Sequence, residues 1–148
     1  MVTTTSEKAE RLNQRRARMM PVLAILLIAQ QGSFVNGDTG RPVDHVRIAA
    51  WLVLSGILLF ALVSGRFGAL FHGRAVQALM EDEVTRANRR QALANAFVAA
   101  MLGAITIYFV TLFQPVSGRE AVHVVLTIGI AAGLLSFGAL ERRALRDG

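Results

Sequence analysis

Four stretches of this chain carry no charged side chain: Met19–Gly37, Ile48–Gly65, Gln91–Gly118 and Ala121–Leu140. A helix needs about 20 mainly apolar residues to cross a bilayer core. In lipid a backbone must satisfy its own hydrogen bonds, which leaves helices and closed barrels. The four runs are built from Leu, Ile, Val and Ala, without the alternating polar positions of a barrel strand. The expected fold is therefore all-α. It is a polytopic membrane protein with four transmembrane helices arranged as two antiparallel hairpins in a single domain. Its expected parts are a tail over 1–18, spans over 19–37 and 48–65, and an interfacial segment over 66–81. A third helix over 82–113 is extended into the cytoplasm, because about 32 residues exceed the bilayer core. A fourth span over 119–140 and a tail over 141–148 complete it.

Composition supports this class. Hydrophobic residues make up 53% of the 148 and charged residues 18%, against about 25% charged in soluble domains. With no cysteine in the chain, disulfides and thiolate metal sites are excluded. The net charge of +6 would suggest nucleic acid in a soluble protein. In a membrane protein it reads first as topology, and no direct nucleic-acid contact is expected.

Thirteen of the 16 basic residues fall in three segments. The N-terminal tail holds Lys8, Arg11, Arg15, Arg16 and Arg18, and the middle connection Arg66, Arg74, Arg86, Arg89 and Arg90. The C-terminus holds Arg142, Arg143 and Arg146. The other two connections hold only Arg41, Arg47 and Arg119. Short cytoplasmic loops carry the basic excess, so both termini and the middle connection are expected on the cytoplasmic side of a bacterial inner membrane. The first run lacks a good small-x-small cleavage site after it and is expected to stay as a signal anchor.

Local signals punctuate the helices. Thr4 and Glu7 have capping-box spacing, as do Ser117 and Glu120 just ahead of the last run. Pro21 is expected in the first turn of the first span, where proline is tolerated. "NQRRA" at 13–17 and "NRRQA" at 88–92, with "FGAL" at 67–70 and 137–140, leave a diverged duplication open beside chance similarity. Gly129 and Gly133 form a GxxxG, and Ala96, Ala100 and Ala104 form a second small-residue face. Such faces let helix backbones approach closely, within a bundle or between copies, and a homodimer is one assembly they allow. Gln30, Gln31 and Asn95 are expected to hydrogen-bond between helices.

The most charged segment, "EDEVTRANRR" at 81–90, stands at the entrance of the third apolar run. Glu81, Asp82 and Glu83 meet the positive end of the helix macrodipole. Asp82 and Arg86, four apart, follow the favourable acid-to-base order. Arg89 and Arg90 mark the membrane interface. Anchoring requires only the arginines, so the acids are a surplus. Glu81, Asp82, Glu83, Arg86, Arg89 and Arg90 are accordingly the expected partner-binding residues.

Asp82-Glu83-Val84-Thr85-Arg86-Ala87-Asn88-Arg89, followed by Ala92, resembles a segment of certain small four-helix bacterial inner-membrane proteins. There an Asp-Glu-x-Thr-Arg-Ala-Asn-Arg-like stretch lies at the cytoplasmic entrance of a hydrophobic helix. The resemblance covers residues 80 to 113. Such proteins are often encoded beside small helix-turn-helix regulators. The resemblance thus implies a membrane partner that restrains a transcription factor or senses on its behalf.

Other chemistry is thinly represented. Asp38, Asp44, His45, Glu120 and His123 are the candidate metal ligands, and Glu120-x-x-His123 has the spacing used in di-iron bundles. These residues lie at connections rather than at a bundle core, and caps explain them better, so no metal or other cofactor is expected. No nucleophile, phosphate loop or catalytic dyad is recognisable, and no catalytic residue is assigned. A non-enzymatic regulatory or binding role, through protein–protein interaction at the cytoplasmic face, is the expected function. The alternative is an oligomeric small transporter or channel subunit, against which stands the lack of an ionisable residue near the centre of any span.

Overall fold

The computed structural model describes residues 5–35, 42–64 and 83–147, which form four helices: α1 Thr5–Val35, α2 Pro42–Ser64, α3 Glu83–Thr111 and α4 Gly118–Asp147. No strand occurs among the described residues. The expected interfacial segment 66–81 lies outside them, as do Glu81 and Asp82.

Among the described residues three helices are long and apolar enough to cross a membrane: α2 over His45–Ser64, α3 over its whole length and α4 over Gly118–Arg146. In α1 the apolar stretch is Ala17–Gln30, shorter than the roughly 20 residues a crossing needs. The expected run over 19–37 is represented by this shorter stretch, inside a helix that begins in the charged tail and runs on to Val35. At the other terminus α4 continues through Glu-Arg-Arg-Ala-Leu-Arg to Asp147. Nothing in that segment breaks a helix, since Glu, Arg, Ala and Leu are all strong helix formers.

The helices gather around α4. Both α3 and α1 lie along it, while α2 touches α4 and α3 more sparingly. Half of the α4 span is buried, against 6% of the α3 span. Small residues make the α3–α4 contact. A Cβ built on Gly129 would lie 3.1 Å from the Ala100 Cβ, and one on Gly133 would lie 3.1 Å from the Ala96 Cβ. Gly103 receives Ile128 in the same way, at 3.1 Å. Residue numbers rise on one helix as they fall on the other, so α3 and α4 are antiparallel. The GxxxG and the alanine face therefore meet within one chain.

On α2 the order is reversed. Trp51 packs against His123, and Leu62 approaches Gly133, so α2 runs parallel to α4. The buried face of α1, with Met20, Ala24 and Leu27, joins Ile130, Ala131, Leu134 and Phe137 in a single core. Ala17 and Met20 are set against Gly138. Only six residues separate α1 from α2, too few to reach back along the bundle, so α1 is antiparallel to both α2 and α4. Successive helices thus run in opposite directions. One end of the bundle collects the start of α1, the end of α2, the start of α3 and the end of α4.

Pro21 falls inside a continuous helix rather than in a first turn. Helix α1 starts sixteen residues earlier, at Thr5, because the tail and the apolar stretch share one axis. The proline removes the bond that the Ala17 carbonyl would otherwise accept. Gly138 faces this spot. A Cβ there would lie 3.2 Å from both the Met20 Cβ and the Pro21 Cδ, and 3.3 Å from the Ala17 carbonyl oxygen.

Candidate functional site

The start of α3 meets the end of α4 at the arginine-rich end of the bundle. Thr85 and Ala92 are seven residues apart and so share a helical face; they are 6% and 0% exposed. Asn88, half-buried beside them, donates from Nδ2 to the Glu141 Oε1 at 3.2 Å. Glu141 is itself only 4% exposed. One to two turns further on, Asn95 Nδ2 donates to the Ser136 Oγ at 3.3 Å, and Gln91 Nε2 donates to the Asn95 Oδ1 at 3.2 Å. A polar ladder thus ties α3 to α4 just inside the charged end. Asn95 makes the helix-to-helix bond expected of it. Gln30 is exposed, and the Gln31 side chain lies outside those described.

This geometry divides the charged segment in two. Thr85, Asn88 and Ala92 turn towards α4, with Arg89 half-buried at their edge. Glu83, Arg86 and Arg90 are exposed on the outer side. Of the expected partner-binding residues, the structure therefore places Glu83, Arg86 and Arg90 on the surface and Arg89 partly within the packing. Exposed Arg11, Arg15 and Arg18 of α1 and exposed Arg142, Arg143 and Arg146 of α4 stand at the same end. The helix packing residues Ala96, Ala100, Gly129 and Gly133 form the floor beneath.

Sequence reasoning passed over Glu141. It stands immediately after the last apolar run and before two arginines, where an acid reads as part of a solvated tail. The available signal was its isolation: it is the one acid between Glu120 and Asp147. Because a buried polar group left unsatisfied costs about 1–3 kcal/mol, Glu141→Ala is expected to lower bundle stability by about that amount. Thermal unfolding in mild detergent measures it. An unchanged midpoint would show that the Asn88 bond contributes nothing.

At the opposite end the Ser117–Glu120 capping box forms as the spacing predicts. The Ser117 N–H and Oγ–H donate to the Glu120 Oε2 at 2.9 and 2.8 Å, and the Glu120 N–H donates back to the Ser117 Oγ at 3.2 Å. His123, three residues on, turns inward: it is 4% exposed and stacks on Trp51 with ring centroids 3.8 Å apart. The Glu-x-x-His pair thus has two separate engagements. His45 is exposed, while Asp38 and the Asp44 side chain lie outside those described. No group of three His, Asp or Glu converges among the described residues.

Around His123 lies a small polar cluster that sequence reasoning also missed. The Thr127 Oγ–H donates to the His123 carbonyl at 2.9 Å. Trp51 Nε1 and Ser55 Oγ are buried without a hydrogen-bond partner. Ser55 is one turn beyond Trp51 and Thr127 one turn beyond His123, so the parallel register brings them level. A Ser or Trp inside an apolar run carries little periodic signal, and its neighbour is set by helix pairing alone.

No protein-family profile matches this chain, and no curated protein or solved structure does.

Proposed function

We propose that this is a four-span bacterial inner-membrane protein whose arginine-rich end faces the cytoplasm and docks a partner protein, without catalysis. The length and apolarity of α2, α3 and α4 support their insertion. For α1, the helix from Ala17 to Val35 reaches about 28 Å at 1.5 Å per residue, close to the roughly 30 Å of a bilayer core. Alternating helix directions bring the start of α1 and the end of α4 to one side, and the distribution of arginine favours the cytoplasm for that side.

The observation that carries the docking reading is the division of the charged segment. Thr85, Asn88 and Ala92 already serve the contact with α4, yet Glu83, Arg86 and Arg90 project outward from the same helix. A rigid helix start presenting both charge signs is suited to a charge-complementary protein surface. The resemblance noted for residues 82–89 points to a small helix-turn-helix regulator as that partner. Since Gly129 and Gly133 are occupied by α3, a homodimer would have to use another face.

The test is affinity purification of the full chain from membranes of cells that express it, with the retained proteins searched for a small helix-turn-helix regulator. Wild type is expected to retain the regulator, and an Asp82→Ala/Glu83→Ala/Arg86→Ala variant to lose it at least tenfold. No retention by wild type, or equal retention by both, contradicts the docking role.

A second reading, a small transporter or channel subunit, draws on the polar cluster of Trp51, Ser55, His123 and Thr127 within α2 and α4. Solute flux into liposomes that depends on these side chains would favour it.

A further inference from the structure

Sparing contact between α2 and α3 leaves a groove above α4. Its floor is Gly129 with Ala96 and Ala100, and its walls are Leu59 and Leu62 on one side and Leu93 and Phe97 on the other. All ten lining residues are apolar, and the volume is about 220 Å³. From Leu93 to Ala100 the groove follows two turns of α3, roughly 10 Å. A short polymethylene segment matches that length and the wholly apolar lining.

The groove also has a charged end. Arg90 precedes Leu93 by three residues and Phe97 by seven, so it shares their face of α3, and it is exposed. It stands about one turn, roughly 5 Å, beyond the groove along the helix axis. An arginine there can reach a phosphate at the membrane surface while its stem lies along apolar surface.

We infer that the groove between α2 and α3 holds one acyl chain of an anionic phospholipid of the inner leaflet, with Arg90 on the headgroup phosphate. This rests on the membrane placement proposed above. It does not depend on a protein partner, whose test uses Asp82, Glu83 and Arg86 instead.

The test is native mass spectrometry of the full chain, first shown to float with liposomes, after exchange into phosphatidylglycerol or phosphatidylcholine with identical acyl chains. One phosphatidylglycerol is expected to survive detergent removal in preference to phosphatidylcholine. Arg90→Gln is expected to lower that preference about fivefold, the effect of one basic contact to an anionic headgroup. Leu59→Trp, at an exposed position on the groove wall, is expected to fill the groove and lose both lipids. Equal retention of the two lipids by wild type, or unchanged retention in Leu59→Trp, overturns the inference. Failure to float overturns the membrane placement itself and the lipid site with it.

Discussion

Gly133→Leu is expected to separate α3 from α4 and to lower bundle stability by more than about 3 kcal/mol, beyond the usual range for overpacking. A single added Cβ at Gly133 would already come within 2.7 Å of the Leu62 Cδ2 and 3.1 Å of the Ala96 Cβ. The Leu62 methyl can rotate away, but the Ala96 Cβ moves only with its backbone. Three further carbons leave no solution except displacement of α3. Membrane helices associate by close packing rather than by escape from water, so little else would compensate. Thermal unfolding in mild detergent reads the loss. The packing account fails if Gly133→Leu unfolds at the wild-type midpoint.

Trp51→Ala is expected to release α2, the helix with the fewest contacts to the rest of the bundle. In water a buried Trp→Ala change costs about 3–5 kcal/mol, part of it transfer and part of it cavity. Lipid supplies an apolar surrounding in place of water, so the transfer share largely cancels and about 2 kcal/mol remains as lost packing against His123. The effect is local. A cross-link between cysteines at Ser55 and Thr127, which lie level on α2 and α4, should form more slowly, while one between α3 and α4 stays at the wild-type rate. Equal rates for both would mean that Trp51 does not fasten α2.

The contrast between these two sites shows what could be read in advance. The four helices of the described residues, their class and the Ser117–Glu120 cap were legible because each depends on neighbours in the sequence: an apolar run, a breaker, a three-residue spacing. Gly129, Gly133, Ala96 and Ala100 were legible as small faces, since only close backbones need them. Which faces would meet was not. In water the buried stripe of a helix is its apolar one, but α3 is apolar almost all round and exposes Phe97, Met101, Ile105 and Tyr108. Its packing stripe is marked instead by Thr85, Asn88 and Ala92, within a segment whose charges drew attention first.

The central position of α4 was likewise hidden. Chain order suggests α1 against α2 and α3 against α4, yet α1 makes its main contact with α4. The reason lies in Gly138, which receives the Pro21 turn of α1; the sequence contains both residues but nothing that links them. Pro21 itself changed meaning once tail and span proved to be one helix.

Glu141 and Asn88 give the charged segment a second purpose. The inner side of the α3 start is consumed by packing, and the outer side, with Glu83 and Arg86, is the part that the proposed docking would use. That outer side can meet a cytoplasmic protein only if the arginine-rich end of the bundle faces the cytoplasm.

Because the chain has no cysteine, single introduced cysteines report this orientation directly. Ala87 and Gln114 are both exposed and lie near opposite ends of α3. In intact inner-membrane vesicles turned right side out, a membrane-impermeant maleimide is expected to label Gln114→Cys and to spare Ala87→Cys until the vesicles are opened. Labelling of Ala87→Cys in closed vesicles, with Gln114→Cys spared, would place the docking face on the wrong side of the membrane and contradict the proposed function.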